Sequence, residues 1–312
     1  MDLDLARIDE AARSIDPQFL NTPQYVDELL DRTVTVKLET ANPIRSFKGR
    51  GADFMLSTLE RGTQVICASS GNFGQAVAYA GRARGMRVQV FVPQTINPGK
   101  QARMEAFGAC VTLAGADGSA ARAAAAAYAA DHSDVVFIRD GLQPAVAEGA
   151  GTIGVELAAG QTFDAIVLPV GDGALISGVA RWIKAHSPTT RIVGVNAAGA
   201  PSMLRSLEAG HAVAIDKIHT FAEGISVRTP IEESVQRARK LVDEMVLVTD
   251  EAIAAAMERV ARTLGVLLEP AGAAGLAAIA TGQVAGERLA TVLTGANPRP
   301  EQLRELVTRL AH

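Results

Sequence analysis

Lys48 stands in the segment ETANPIRSFKGRGA (39–52), behind a predicted strand and beside Arg45, Phe47 and Arg50. Neighbouring cations and a hydrophobic wall favour the neutral amine of a lysine, which makes Lys48 a candidate for Schiff-base chemistry; a solvated charge or a phosphate contact is the plainer use of such a residue. A second segment, ASSGNFGQA (68–76), follows an apolar run and opens a helix near Phe73. Its backbone N–H groups and the Ser69, Ser70 and Asn72 side chains would sit at a helix N-terminus, where an anion is favoured, unless the segment is only an ordinary cap. A third, VGDGALISG (170–178), has the same strand-to-helix setting, and Gly171 and Gly173 allow close backbone approach to a phosphate. Its GxGxxxxG spacing departs from the dinucleotide fingerprint and Asn196 stands where an acidic ribose ligand would be expected, so a monophosphate fits better than NAD. Near the C-terminus, LTGAN (293–297) offers Thr294 at a strand end, and LLEPAGAAGLAA (267–278) offers Glu269 just before Pro270 at a helix start, a place that also suits a capping carboxylate.

All these segments lie in turns between strands and helices, and nine apolar runs supply the strands: 33–39, 63–69, 87–93, 110–114, 134–138, 164–170, 191–197, 245–249 and 289–294. Helical stretches separate most of them, including the alanine-rich 119–130, which reads as a crossover helix. The alternation predicts an α/β protein with largely parallel, helix-covered sheets, because parallel neighbours need a crossover connection. Nine strands exceed one typical sheet, so two α/β domains with the site in the cleft between them are expected. The irregular stretch 201–230, with Gly210 and Gly224, is expected to be a mobile region over that cleft.

The 312 residues carry 30 Lys and Arg against 34 Asp and Glu, and 48% are hydrophobic. That balance excludes a disordered chain and offers no basic field to nucleic acid. No apolar run approaches the ~20 residues that span a bilayer, and the acidic start MDLDLARIDE lacks the features of a secretory signal, so a cytoplasmic location is expected. Cys67 and Cys110 both read as buried thiols. His132, His186, His211, His219 and His312 are dispersed as surface residues, without metal-ligand or triad spacing.

In order and spacing, SFKGRGA, SSGNFGQA, the glycine loop at 171–175, EPAGAAGLAA and LTGAN resemble the pyridoxal-phosphate enzymes of the tryptophan synthase β fold (fold type II), within it the threonine/serine dehydratase and serine racemase branch. The likeness runs over nearly the whole chain and includes the entry segment LNTPQYVDELLDRTVTVKLET. It implies pyridoxal 5'-phosphate as cofactor, with Lys48 bonded to it beside Phe47 and later moving the substrate α-proton. Asn72 would meet the ring hydroxyl, Gly171, Asp172, Gly173, Ala174 and Leu175 the phosphate, and Thr294 the pyridine nitrogen, with Glu269 also at the cofactor. Ser69, Ser70, Gly71, Asn72, Phe73 and Gly224 would bind the substrate. The implied reaction is β-elimination from an L-3-hydroxy amino acid to a 2-oxo acid and ammonia, the β-hydroxyl leaving with a proton from the cofactor phosphate. The implied architecture is a large cofactor-binding domain, 1–51 with 142–312, a small mobile domain, 52–141, and a homodimer.

The chain also departs from the pattern. Asp172 and Ala174 interrupt an unbroken glycine run, so the Asp172 carboxylate is expected to point away from the phosphate. Phe73 replaces a usual histidine. Asn196 and 197–201 occupy the stretch where racemases carry acidic cation ligands, leaving only Glu223, so no metal is expected. Ser70 matches the second acid/base of the racemases, which keeps an amino-acid racemase open beside the dehydratase. A threonine synthase or β-replacement enzyme and a non-catalytic ligand-binding protein are the further alternatives. No regulatory domain is expected after the last motif.

Overall fold

A computed structural model describes residues 1–27 and 33–311. Ten strands form two sheets: β1 (Gln24–Asp27), β2 (Thr33–Leu38), β3 (Gln64–Ala68), β4 (Arg87–Val92), β5 (Cys110–Leu113), β6 (Val135–Phe137), β7 (Ala165–Pro169), β8 (Arg191–Ala197), β9 (Glu244–Val248) and β10 (Arg288–Leu293). The larger sheet has the order β1-β2-β10-β7-β8-β9 and is parallel except for β1, while the smaller, β5-β4-β3-β6, is parallel throughout. The chain thus builds β1 and β2, leaves for the four-stranded sheet, and returns for the remaining strands. Nine of the strands fall on the nine apolar runs, as a helix-covered parallel sheet requires of strands buried on both faces; β7 is buried at every position.

The helix Pro270–Ala280 shows how closely these layers meet. It is buried from Pro270 to Ile279, which its all-apolar sequence PAGAAGLAAIA permits. A Cβ on Gly275 would lie 2.2 Å from Thr291 Oγ1, so only glycine lets this helix rest on β10. The helix carries Glu269 at its N-cap, with Pro270 at the first position, and so fixes one wall of the site.

Three features correct the sequence reading. β1 is a tenth strand, antiparallel on the sheet edge, and it lies in the entry segment, of which 28–32 fall outside the described residues, as does His312. The stretch 201–230 contains the helix Ser202–Ala209, for which its amphipathic spacing suffices. Cys110 is exposed because β5 is an edge strand, whereas Cys67, at the centre of β3, is buried, and burial and then Asp140 push its thiol up to about 12. His132, His186, His211 and His219 are exposed. Among the described residues no helix is long and apolar enough to cross a membrane, and no three His, Cys, Asp or Glu side chains gather as a metal site.

Candidate active site

One cavity of about 640 Å³ is lined by Phe47, Lys48, Ser69 to Phe73, Gly171 to Leu175, Gly224, Glu269 and Thr294, which is every site residue that the sequence suggested. The two sheets explain the convergence. β3 of the small sheet delivers 69–73, β7 and β10 of the large one deliver 171–175 and Thr294, and Lys48 begins the helix Lys48–Ser57 that comes after β2. Strand ends of parallel sheets are where such crevices form.

Each loop leaves backbone donors at a helix start. The helix Ala174–His186 begins after Gly173, at φ +90°, with no side-chain cap and no acidic residue in its first turn. The helix Asn72–Arg84 likewise begins after Gly71 without a side-chain cap. Unpaired N–H groups and the positive dipole end make both loops anion sites. Close packing keeps the first one shaped, since a Cβ on Gly171 would lie 2.8 Å from Gly224 O.

Across the cavity Asn72 Nδ2 donates to Glu269 Oε1 at 2.6 Å, while Asn72 Oδ1 accepts from Asn297 Nδ2 at 2.9 Å. Burial pushes the Glu269 carboxyl up, against the pull of the Asn72 bond and of Lys100. Glu269 therefore aims the Asn72 amide and leaves one of its two N–H groups for a ligand. Thr294 is buried, with Oγ1 3.5 Å from Ala271 O. Glu223 is paired with Arg299 and lies 3.6 Å from Lys100.

Lys48 has different neighbours from those its sequence suggested. Its Nζ lies 4.6 Å from the centre of the Phe47 ring, as the hydrophobic wall required. Arg50, however, is turned into the core, and the partner of Lys48 is a carboxylate, Asp140, in direct ion-pair contact. Sequence reading missed Asp140, Lys100, Arg122 and Arg139, all in the cavity lining. Arg139 and Asp140 follow β6 directly, and no local motif marks them.

Asp172 Oδ1 is buried without a hydrogen-bond partner, and burial, reinforced by Asp140, pushes its carboxyl up to about 6. A raised carboxyl favours the protonated folded state, so its contribution to stability is present below about pH 4 and lost as pH rises through 6. Asp172→Asn is therefore expected to raise the melting temperature of the cofactor-free protein at pH 7 by several degrees, about 1–3 kcal/mol, with the gain vanishing at pH 4. Calorimetric scans at the two pH values check it.

A family model described as pyridoxal-phosphate dependent enzyme matches residues 15–295. The chain belongs to that family. Its cofactor fits the residues present: a lysine free of backbone duties, two uncapped helix starts and a neutral hydroxyl at Thr294 surround one cavity. Among relatives of this pyridoxal-phosphate enzyme, the biosynthetic L-threonine dehydratase of Pasteurella multocida is 33% identical over 91% of this chain and 57% of its own. The chain spans about half the length of such curated relatives. The processed form of threonine deaminase isoform 2 from Solanum lycopersicum superposes with a TM-score of 0.90 at 32% identity, covering 99% of this chain and 94% of that one. Maize serine racemase gives 0.91 at 27%, covering 100% and 99%.

Proposed function

We propose that this chain is a threonine/serine dehydratase, an ammonia-lyase that converts an L-3-hydroxy amino acid to a 2-oxo acid and ammonia. The observation that carries the proposal is the meeting of Lys48, Asn72, the 171–175 loop and Thr294 on one cavity. When bound, pyridoxal phosphate supplies the electron sink for the bond broken at Cα. Lys48 holds the cofactor and takes the α-proton at Nζ. Asn72, oriented by Glu269, bonds the ring hydroxyl, and the N–H groups of Gly171 to Leu175 hold the phosphate. Thr294 would present its neutral hydroxyl to the ring nitrogen, a partner that, unlike a carboxylate, would not hold a proton there.

Ser69, Ser70, Gly71, Asn72 and Phe73 receive the substrate carboxylate at the start of the helix Asn72–Arg84, with Gly224 opposite. The division into 1–51 with 142–312 and 52–141, closure of the smaller part to exclude water, and assembly as a cytoplasmic homodimer belong to the same proposal. The place of Ser70 in the cavity supports a second reading, an amino-acid racemase using Ser70 on the opposite face of Cα.

Visible spectra of the pyridoxal-phosphate-loaded protein, with and without L-serine or L-threonine, test the assignment alongside a 2-oxo acid assay and chiral analysis of residual substrate. A spectral shift with stoichiometric 2-oxo acid and ammonia is expected. Inversion without 2-oxo acid would replace the dehydratase by the racemase.

A further inference from the structure

The Lys48–Asp140 contact joins two mostly buried side chains, 17% and 14% exposed. The next two residues, Gly141 and Leu142, hold Asp140 in place. Gly141 O and Leu142 O accept from Arg237 Nη1 and Nη2, both at 2.8 Å, and Arg237 is itself 3% exposed and bonded to Asp2. Ser234 Oγ lies 2.8 Å from Gly141 O and 2.6 Å from Asp172 O, stapling the turn after β6 to the glycine loop after β7. Gly141 has φ +80°, and a Cβ there would lie 2.4 Å from Asp172 O, so the two segments are in contact.

Asp2, the helix Glu232–Leu241 and the glycine loop thus fix the backbone next to a carboxylate that faces Lys48. Its Oδ1, like that of Asp172, is buried without a hydrogen bond. An acid kept so costly to bury is not there for the turn, whose bonds from Ser234, Arg237 and Gln143 all go to backbone groups of 137–142 and none to the Asp140 carboxylate.

We infer that Asp140 is a positioning residue of the reaction: it receives the ammonium of Lys48 whenever that nitrogen is not bonded to the cofactor, and so holds the proton that Lys48 takes from the substrate. This rests on the role proposed for Lys48. The other charges around this nitrogen are Asp172 and Glu269, with Arg122 and Arg139 beside Asp172 and Lys100 beside Glu269. Asp140 is the one in contact with it.

Cofactor-stripped wild type, Asp140→Asn and Asp140→Glu are mixed with pyridoxal phosphate, and uptake is monitored by visible absorbance between pH 6 and 9. The neutral amine attacks the aldehyde, and a carboxylate beside it favours the charged form. Asp140→Asn is expected to take up cofactor on the order of tenfold faster, because Lys48 Nζ is no longer held in contact with a carboxylate. Its kcat for 2-oxo acid formation is expected to fall about tenfold or more, because the transferred proton has lost its counter-ion. Asp140→Glu restores both. A purely structural role would slow both steps, so uptake in Asp140→Asn that is no faster than in wild type overturns the inference. Uptake by Lys48→Ala equal to wild type overturns instead the role of Lys48 and the function built on it.

Discussion

Lys48→Arg is expected to lose 2-oxo acid formation from L-threonine by about 10⁴-fold or more, together with the visible band of the bound cofactor, while its melting temperature stays within a few degrees of wild type. Arginine keeps the positive charge that Asp140 needs but stays protonated and cannot form a Schiff base. Lys48→Ala loses the same activity and also leaves Asp140 without its cation, so a further drop in stability separates the two variants. Steady-state assays and thermal melts on both decide the matter. Activity retained in either variant would remove Lys48 from the chemistry and with it the proposed dehydratase.

Lys48 could be found from sequence because its neighbours along the chain, Pro43 to Ala52, already describe a strand-to-helix turn. The same holds for 68–76, 170–178 and 293–297, whose meaning is local: an apolar run, a turn rich in glycine and small polar residues, then a helix start. Asp140 was illegible because its meaning is not local. It matters only where the end of β6 is pressed against the 171–173 loop by Ser234 and Arg237, residues some 90 positions away in sequence. β1 was missed for a related reason: QYVD is four residues long on an edge, with Tyr25 and Val26 about half exposed, so no buried face marks it. Cys110 misled because an apolar run predicts a strand but does not tell an edge strand from a central one.

Arg50 is the case in which closeness in sequence misled most. Two residues beyond Lys48 on one helix, it points elsewhere, since positions i and i+2 do not share a helix face. It is fully buried and grips Glu39 with Nε and Nη2, each at 2.8 Å, while Nη1 and Nη2 also reach Glu156 at 2.5 and 2.9 Å. Lys37 completes the group at 2.7 Å from Glu156, and Thr152 and Thr22 add hydroxyls at 3.0 and 3.2 Å. This network ties β2 and the helix Pro144–Leu157 to the helix that begins with Lys48.

Arg50→Met is therefore expected to cost about 3–5 kcal/mol, because it leaves the buried Glu39 without its ion-pair partner, and to lower the melting temperature by on the order of 5–15 °C. The double variant Arg50→Met with Glu39→Gln removes both charges and should recover much of that loss, which a double-mutant cycle measures directly. Recovery would show that the penalty is the stranded carboxylate and not the volume of the arginine. Failure to recover, with a full loss in the double variant, would mean that the two-pronged grip on Glu156 carries the stability. In that case the Lys48 helix is positioned chiefly from the Pro144–Leu157 side, and kcat should fall in step with the loss of that grip.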